Sequence, residues 1–539
     1  MSNPVFRFAT VQGQNIHWFL QRNCSVTPVQ LAWLYVSLCV VSLGIASFFW
    51  WLGATLVLPF AWLELVAVAA AFVVYARHAA DGETISRQGR QLVVELENGG
   101  RRERAEFDRD WVGRDLATRA PGAVVGPEKV TGDVALPPGV SLADGLDADE
   151  AVSVALWHSP GFQADLAQLS TARADLAEAG SLPNPTLTML FPLGPHQLSG
   201  YLLLPLAALV QRPARVKAAR RDLERVARSL VQTGLDLIRD VRLAHAEALA
   251  AHERTRAREE LQKLWTASEQ LARARTDAGD TSRLEYDAIH GEALLAADMV
   301  ARAGQDAEAA RLRLRLLLGT PSDAIPDATP ITGSPEPQRP PGTAILVREA
   351  LASRPDLRAA ELAVEAAGAR LGLERARIFQ GLLRFDGQLD AQGFYPSIGV
   401  HQIEVPVFNW NPGGRGRAKA ELQRTMWRYA ALRQQIVAEV ATAELQARQA
   451  SDSLARWRGE LLPTLERSVA AATSSFQAGS ESYVVVLDAT RRLQDARLRE
   501  IDLRADLRRA LAQLARSVGR RIDVATLPTE RTDHVAAPR

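Results

Sequence analysis

The segment AGDTSRLEYDA at 278–288 recurs two hundred residues later as AGSESYVVVLDA at 478–489. Three further pairs recur in the same order along the chain: EAVSVALWHSPGFQADLAQLSTARADLAEA at 150–179 with ILVREALASRPDLRAAELAVEAAGARLGLERA at 345–376, ARVKA at 214–218 with GRAKA at 416–420, and Gly319 with Gly519. Several markers in a constant order are typical of an internal duplication. We therefore expect two structural units, at about 147–320 and 343–520.

Both units show one pattern of elements: a helix, two short apolar segments, a very long helix, a glycine turn and a returning helix. The short segments predict strands at 186–190 and 201–206 in the first unit and at 382–390 and 400–407 in the second. The first long helix is expected from about Pro213 to Ala278, on the order of 100 Å at ~1.5 Å per residue. Its apolar residues follow coiled-coil spacing, and one chain cannot bury that seam, so self-association is expected.

Two further motifs, LPNPTLTM at 182–189 and VPVFNWNPGGRGRAKAE at 405–421, give the repeated region a specific resemblance. Together with the paired glycine turns, they make residues 147–520 similar to the TolC-like outer membrane efflux family. The resemblance implies a mainly α fold and a homotrimer. Each protomer gives four strands to one β-barrel and its helices to a long periplasmic coiled-coil tunnel. It also implies passive export with a periplasmic adaptor and an inner-membrane pump, in an efflux or type I secretion system.

The glycine turns are the first candidate functional positions. In the resembled family such tips meet the adaptor and close the pore, which gives the candidate contact residues Gly279, Asp280, Thr281, Gly479, Ser480 and Glu481. The resemblance also implies that Asp488 is a pore-constriction residue facing the lumen, with Asp287 as its counterpart in the first unit. The alternative is that both aspartates cap or solvate the surfaces of their helices.

The first hundred residues have a different character. Residues 31–51 carry no charge and 54–76 carry only Glu64, so each is long enough to cross a bilayer of about 30 Å as a helix. A β-hairpin is expected at 85–112, around Asn98-Gly99-Gly100. Residues 1–118 thus form a membrane module in contact with lipid, 119–146 a linker rich in Pro and Gly, and 521–539 a flexible tail. The module resembles a family of small two-helix bacterial membrane proteins of unknown function.

The charges around the module conflict with an exported channel. Arginines flank both apolar stretches on the outside of the hairpin and none lies between them, so both ends are expected in the cytoplasm and the hairpin in the inner membrane. The tunnel region is expected in the periplasm and the outer membrane. Either one stretch fails to span and the other acts as a signal-anchor, or two neighbouring reading frames have fused. The alternative to a channel is a structural protein: a coiled-coil tether that is held in the inner membrane and has no pore.

Composition excludes several other functions. The chain has 63 basic and 62 acidic residues spread along its length, which does not favour a nucleic-acid partner. Two cysteines cannot build a disulfide scaffold. No GxSxG, HExxH or CxxC motif occurs, so we expect no enzyme and no cofactor. His245 and His252 share a helix face, but two ligands do not make a metal site, and a solvated face is the favoured interpretation.

Overall fold

The computed structural model describes the 539-residue chain apart from residues 1–8, 13–14, 22–27, 52–60, 63–64, 66–67, 70–81, 89–90, 99–100, 106, 121, 128–135, 143–144, 191–197, 321–329, 333–341, 379, 391–392, 405–408, 479 and 522–539. It divides into two compact units, Met1–Asp110 and Trp111–Arg539. The boundary lies earlier than the predicted end of the module at 118.

The described residues of the first unit form an antiparallel sheet and a long helix. The strands, in spatial as well as chain order, are β1 Ala9–Gln12, β2 Asn15–Gln21, β3 Gly82–Gln88, β4 Gln91–Asn98 and β5 Arg101–Ala105. Helix α1, Pro28–Trp51, follows β2. Among the residues described in both backbone and side chain, no helical stretch has the length and apolar character needed to cross a membrane. Most of the second predicted membrane stretch, 54–76, lies outside the described residues.

The predicted hairpin at 85–112 is wrong in its extent. Strands β4 and β5 do form a hairpin, but β5 ends at Ala105, and helix α2, Arg109–Arg119, occupies the rest. The sheet also takes β3 and the two strands that precede α1. Their pairing joins residues on opposite sides of the apolar stretches, with Gln21 opposite Gly82, and local alternation in sequence cannot reveal so distant a partner.

The predicted linker at 119–146 is also partly wrong. Val112 and Leu116 on α2 have no exposed surface, and Ala120 and Ala123 are buried. Gly126 comes so close to another segment that a Cβ there would lie 2.4 Å from the carbonyl oxygen of Trp157. This segment therefore packs as part of the second unit, because its apolar residues have a surface to cover.

The second unit contains the two repeats in the expected element order. The first comprises α3 Ala148–His158, α4 Pro160–Gly180, β6 Thr186–Leu190, β7 Leu198–Pro205, α5 Leu206–Asp277 and α6 Arg283–Leu318. The second comprises α7 Thr343–Ser353, α8 Pro355–Ala376, β8 Gln380–Asp390, β9 Gly393–Glu404, α9 Pro412–Arg456, α10 Leu462–Gln477 and α11 Tyr483–Val518.

The two long helical passages differ. Helix α5 runs for 72 residues, about 108 Å at ~1.5 Å per residue. It begins at Leu206, earlier than predicted, and accommodates Pro213 in its third turn. The corresponding passage of the second repeat is divided by a π-helical turn at Trp457–Leu461. Pro463 follows that turn, and since proline has no N–H to donate, the regular hydrogen-bond pattern is interrupted there.

A ladder of ion pairs joins α5 to α11. Arg516 contacts Asp236 at 2.6 Å, Arg509 contacts Glu247, and Arg254 contacts Asp502 at 2.8 Å. Residue numbers rise along α5 as they fall along α11, so the helices run antiparallel. The first repeat is thus held to the last helix of the second.

Buried arginine Arg354 ties the start of α8 to its surroundings. Its side chain is 1% exposed and contacts Asp356 at 2.5 Å and Glu439 at 2.7 Å. Burial raises the pKa of the Glu439 carboxyl, but hydrogen bonds from Arg354 and Gln435 and the charges of Arg354 and Arg516 outweigh it, and the pKa lies below its ordinary value. Glu439 is therefore an ionised partner of a desolvated guanidinium.

The returning helices α6 and α11 end in the same way. Gly319 and Gly519 adopt positive φ, 68° and 87°, which glycine tolerates best. A Cβ on Gly319 would lie 2.7 Å from the Cα of Ser159, and one on Gly519 would lie 3.1 Å from Cγ of Arg354. The end of α6 therefore packs against Ser159, which directly precedes α4. The end of α11 packs against Arg354, which directly precedes α8.

Candidate functional site

The first candidate site is the turn that joins α5 to α6. Gly279 has φ +84°, and Asp280 donates its backbone N–H to the carbonyl of Arg275 at 2.8 Å. Ser282 accepts a hydrogen bond from the N–H of Glu285 at 3.2 Å and so caps α6. Asp280 is exposed and Thr281 half-buried.

The turn between α10 and α11 has the same two features, a backbone hydrogen bond within the turn and a serine that caps the following helix. Ser480 donates its N–H to the carbonyl of Ser475 at 3.0 Å, and Ser482 caps α11 by accepting from Val484 N–H at 3.3 Å. Ser480 and Glu481 are exposed, while Gly479 lies outside the described residues. The equivalent caps lie two hundred residues apart, at 282 and 482.

The structure brings the two turns' helices together. The Ser268 hydroxyl lies 3.1 Å from the Tyr483 hydroxyl, and Arg491 contacts Glu292 at 3.2 Å. Leu487 completes an apolar cluster with residues from both α5 and α6, namely Leu261, Trp265, Ala272, Ile289, Ala293 and Ala296. The candidate turns therefore project side by side from one bundle end.

The predicted pair of aspartates is not structurally equivalent. Because the caps keep a constant spacing, the position corresponding to Asp287 is Leu487, which is buried, and Asp488 lies one residue later. One residue is about 100° of rotation on a helix. The sequence comparison missed this because it aligned the Asp-Ala dipeptides and not the helix caps.

Each aspartate also has a basic partner on its own helix. Asp488 contacts Arg492 at 2.8 Å and Asp287 contacts Arg283 at 3.3 Å, and both carboxylates remain about half exposed, at 55% and 56%. The arginines lie four residues away in opposite directions. Spacing of this kind is visible in sequence and predicts such pairs, yet the pore interpretation considered the acidic residues alone.

The strands of the second unit form a single antiparallel sheet in the order β6-β7-β8-β9. Strands β7 and β8 pair across the repeats, from Leu198 opposite Leu389 to Pro205 opposite Leu382. Strand β6 has five residues, whereas β9 has twelve. Among the described strands, β6 and β9 each have one partner, so both edges of this sheet offer unpaired backbone groups.

Apolar side chains are exposed along two of the helices. On α6 they lie within about 140° of the helix circumference and on α9 within about 100°; they are Leu284, Leu294, Leu295, Met299, Leu312 and Leu316 on α6, and Met426, Trp427, Val437 and Leu445 on α9. Leu316 is 82% exposed and Trp427 77%. Exposed apolar rows on one side of a helix are typical of protein contact surfaces.

The predicted solvated face is wrong for His245, whose side chain belongs to the packed scaffold. His245 is buried and lies 3.0 Å from the carbonyl of Leu146 through Nε2. Burial lowers its pKa, as does the charge of Arg508, so the ring is neutral and donates that hydrogen bond. Within the described part of the chain, no group of three or more His, Cys, Asp or Glu side chains is arranged to hold a metal ion.

Family models match two separate regions. Residues 346–520 match the model of "Outer membrane efflux protein", and residues 20–124 match that of "Integral membrane protein (DUF2244)". The C-terminal region is thus similar to outer membrane efflux proteins, and the N-terminal segment is similar to a family of integral membrane proteins.

The chain is also similar in sequence to two named proteins. The chain is 25% identical over 387 residues to the cobalt-zinc-cadmium resistance protein CzcC of Cupriavidus metallidurans, covering 70% of this chain and 90% of the relative. It is 31% identical to the cation efflux system protein CusC of Escherichia coli (strain K12) over 38% of this chain and 47% of the relative.

Solved structures share the fold. A crystal structure of CusC has a TM-score of 0.58 at 20% identity and covers 70% of this chain and 93% of the other. The outer membrane protein VceC from Vibrio cholerae has a TM-score of 0.59 at 17% identity, covering 69% and 96%. The predicted fold class, a long helical bundle with a small sheet, is confirmed.

Proposed function

We propose that residues 147–520 form the outer-membrane channel component of a tripartite efflux system and act as a passive conduit. The observation that supports this best is the four-stranded sheet with two free edges, continuous with helices of about 100 Å. Backbone groups at a free edge cannot be left unpaired in lipid, so such a sheet must close with strands of other copies. No catalytic residue is assigned.

A homotrimer is the proposed assembly, since three copies of four strands give one closed barrel. The exposed apolar rows on α6 and α9 then pack between neighbouring protomers. In this arrangement the channel region lies in the outer membrane and the periplasm, and its turns face an adaptor and an inner-membrane pump.

Charge insertion tests the assembly. Trp427→Glu places a carboxylate within the apolar row and should convert crosslinked trimers to monomers in detergent. Arg428→Glu, one position further round the helix, should leave trimers intact. Trimers that persist in Trp427→Glu, or wild-type protein that is monomeric in both membranes and detergent, would contradict the proposal.

The turns are proposed as the narrow end of the conduit, with Asp488 facing its lumen. Because Arg492 balances that carboxylate, the two residues provide opposite tests in planar bilayers. Asp488→Asn should weaken cation selectivity, whereas Arg492→Gln should strengthen it, as charged rings do in other pores. Equal selectivity in both variants and in wild type would show that the pair lies on an outer helix surface, and Asp287→Asn provides the comparison from the first repeat.

Metal cations are the proposed cargo. The support is the match to CzcC over 90% of that protein's length, together with the match to a cation efflux protein. Deletion of the gene should sensitise its host to particular divalent cations, and restoration should reverse this. Sensitivity to organic solvents alone would point to another cargo.

A tether in the inner membrane is the second candidate, supported by the integral-membrane match at 20–124. Separation of the two membranes distinguishes it. A channel co-sediments with outer membrane as a trimer, while a tether remains with the inner membrane and conducts no ions.

A further inference from the structure

The two strands that flank the apolar segment, β2 and β3, pair with each other. Strand β2 ends at Gln21, and Gly82, which begins β3, lies directly opposite it. Antiparallel partners of this kind are about 5 Å apart between Cα atoms. The chain therefore leaves the sheet after residue 21 and re-enters it, sixty residues later, at a neighbouring position.

Two parts of the segment between these strands contact each other. The Tyr35 hydroxyl on α1 donates a hydrogen bond to the carbonyl of Leu65 at 3.0 Å, so the return passage lies against the outgoing one. Ala46, Ala61 and Leu65 are buried. The described residues around Leu65 therefore contact α1 at Tyr35.

Lipid is the occupant that best suits the surface of α1. The helix, Pro28–Trp51, contains no Asp, Glu, Lys or Arg. Its exposed side chains cover more than half of the helix circumference; they include Trp33, Val36, Leu38, Val40, Val41 and Leu43. The remaining side carries Tyr35, Cys39 and Ala46, which are half-buried or buried. A helix that is apolar all round is typical of a lipid environment or a large core, and the flanking sheet is too small to provide the core.

A bilayer cannot lie between paired strands, because its hydrocarbon core is about 30 Å thick. Both ends of the apolar segment must therefore be on one side of any membrane that it enters. The residues that follow the sheet must lie on that same side of the membrane, because the connection between the sheet and α2 is too short to cross a bilayer. Strand β5 ends at Ala105 and α2 begins at Arg109, and the few residues between them span at most about 3.5 Å each.

We infer that the five-stranded sheet and the efflux-type region occupy a single compartment, and that the apolar hairpin enters the membrane from that compartment and returns to it. Resting on the proposed function, this compartment is the periplasm. The strand pairing and the arginine distribution agree that both flanks lie on one side of the membrane. They differ only in the side: the proposed function requires the periplasm, whereas the arginine distribution predicts the cytoplasm.

Cysteine labelling in cells tests the inference on the full chain. Cys24 and Cys39, the native cysteines, are replaced by serine, and single cysteines are introduced by Asn15→Cys, Asn98→Cys and Asp280→Cys. The first two report on ends of sheet strands, and the third on the α5–α6 turn. A membrane-impermeant maleimide is added to cells with a permeable outer membrane and an intact inner membrane, and then again after lysis.

Equal labelling at all three positions before lysis supports both the inference and the proposed function. Protection of all three until lysis supports the single compartment but refutes the outer-membrane channel. Labelling at Asp280→Cys with protection at either strand position overturns the inference.

A crosslink distinguishes misfolding from a wrong topology. Paired cysteines from Gln21→Cys and Gly82→Cys lie at opposed positions of β2 and β3, within the range that a disulfide bridges. The pair should form an intramolecular disulfide on mild oxidation, whereas Asn15→Cys with Gly82→Cys should not. Absence of the first crosslink in protein that still labels at Asp280→Cys overturns the inference as well.

Discussion

The contact between α2 and α5 provides a sharp test of where the second unit begins. Leu116 on α2 is fully buried, and Gly234 on α5 lies beneath it. A Cβ placed on Gly234 would be 2.6 Å and 2.9 Å from the two terminal methyl carbons of Leu116. The absence of a side chain at Gly234 is therefore what admits Leu116.

Leu116→Ala removes the branched end of the side chain and leaves a cavity, at a cost of about 2–5 kcal/mol in the free energy of unfolding. Gly234→Ala alone introduces a clash worth about 1–3 kcal/mol, offset by about 1 kcal/mol of helix propensity. In the double variant the new methyl group occupies part of the cavity. We therefore expect the double variant to be more stable than Leu116→Ala by at least about 1 kcal/mol.

Urea denaturation of the purified full chain in detergent, followed by far-UV circular dichroism, measures these differences. Leu264→Ala is the matched control, because Leu264 lies on the same helix as Gly234 and is 37% exposed; it should change stability by about 0.5 kcal/mol or less. A loss of that small size in Leu116→Ala, or strict additivity in the double variant, would refute the packing of α2 as part of this unit.

Three further predictions concern the scaffold. Arg354→Met leaves Asp356 and Glu439 without their buried partner and should cost about 3–5 kcal/mol in urea denaturation, whereas Arg370→Ala, which removes an exposed pair with Asp222, should cost about 1 kcal/mol or less. His245 has a lowered pKa, so below about pH 6.5 the unfolded chain binds a proton that the folded chain does not; stability should fall from pH 7 to 5, and His245→Gln should make that slope shallower. Tyr483→Phe removes the hydroxyl that meets Ser268 and should lower the urea midpoint by the equivalent of about 1 kcal/mol; an unchanged midpoint would place this contact outside the cooperative unit.

Much of the second unit was predictable from sequence because its two repeats can be compared with each other. Elements recur with their caps, and the strand at 186–190 was predicted with its bounds. The start of α5 was not, because Pro213 is a typical helix-opening residue. Here the chain instead turns out of β7 at Pro205 and begins the helix at Leu206, and only the sheet determines where that turn falls.

Contacts between distant segments account for the other differences. Residues 119–127 have the Pro, Gly and small-residue content of a linker, yet their few apolar side chains pack because α3 and α5 present a surface for them. The sheet pairing of β2 with β3 likewise depends on a partner beyond the apolar segment. At the candidate turns, sequence identified the glycine and serine positions, while the arginine partners of Asp287 and Asp488 were overlooked in spite of their regular spacing.

The pairing of β2 with β3 has a consequence for how the chain is made. The ribosome releases β2 well before β3, and at about 5–20 residues per second the sixty intervening residues take several seconds. Throughout that interval β2 has an open edge, which is prone to pairing with other chains. The five-stranded sheet can therefore be completed only after the whole apolar segment has been synthesised, which makes the pairing of β2 with β3 a late step in the synthesis of the first unit.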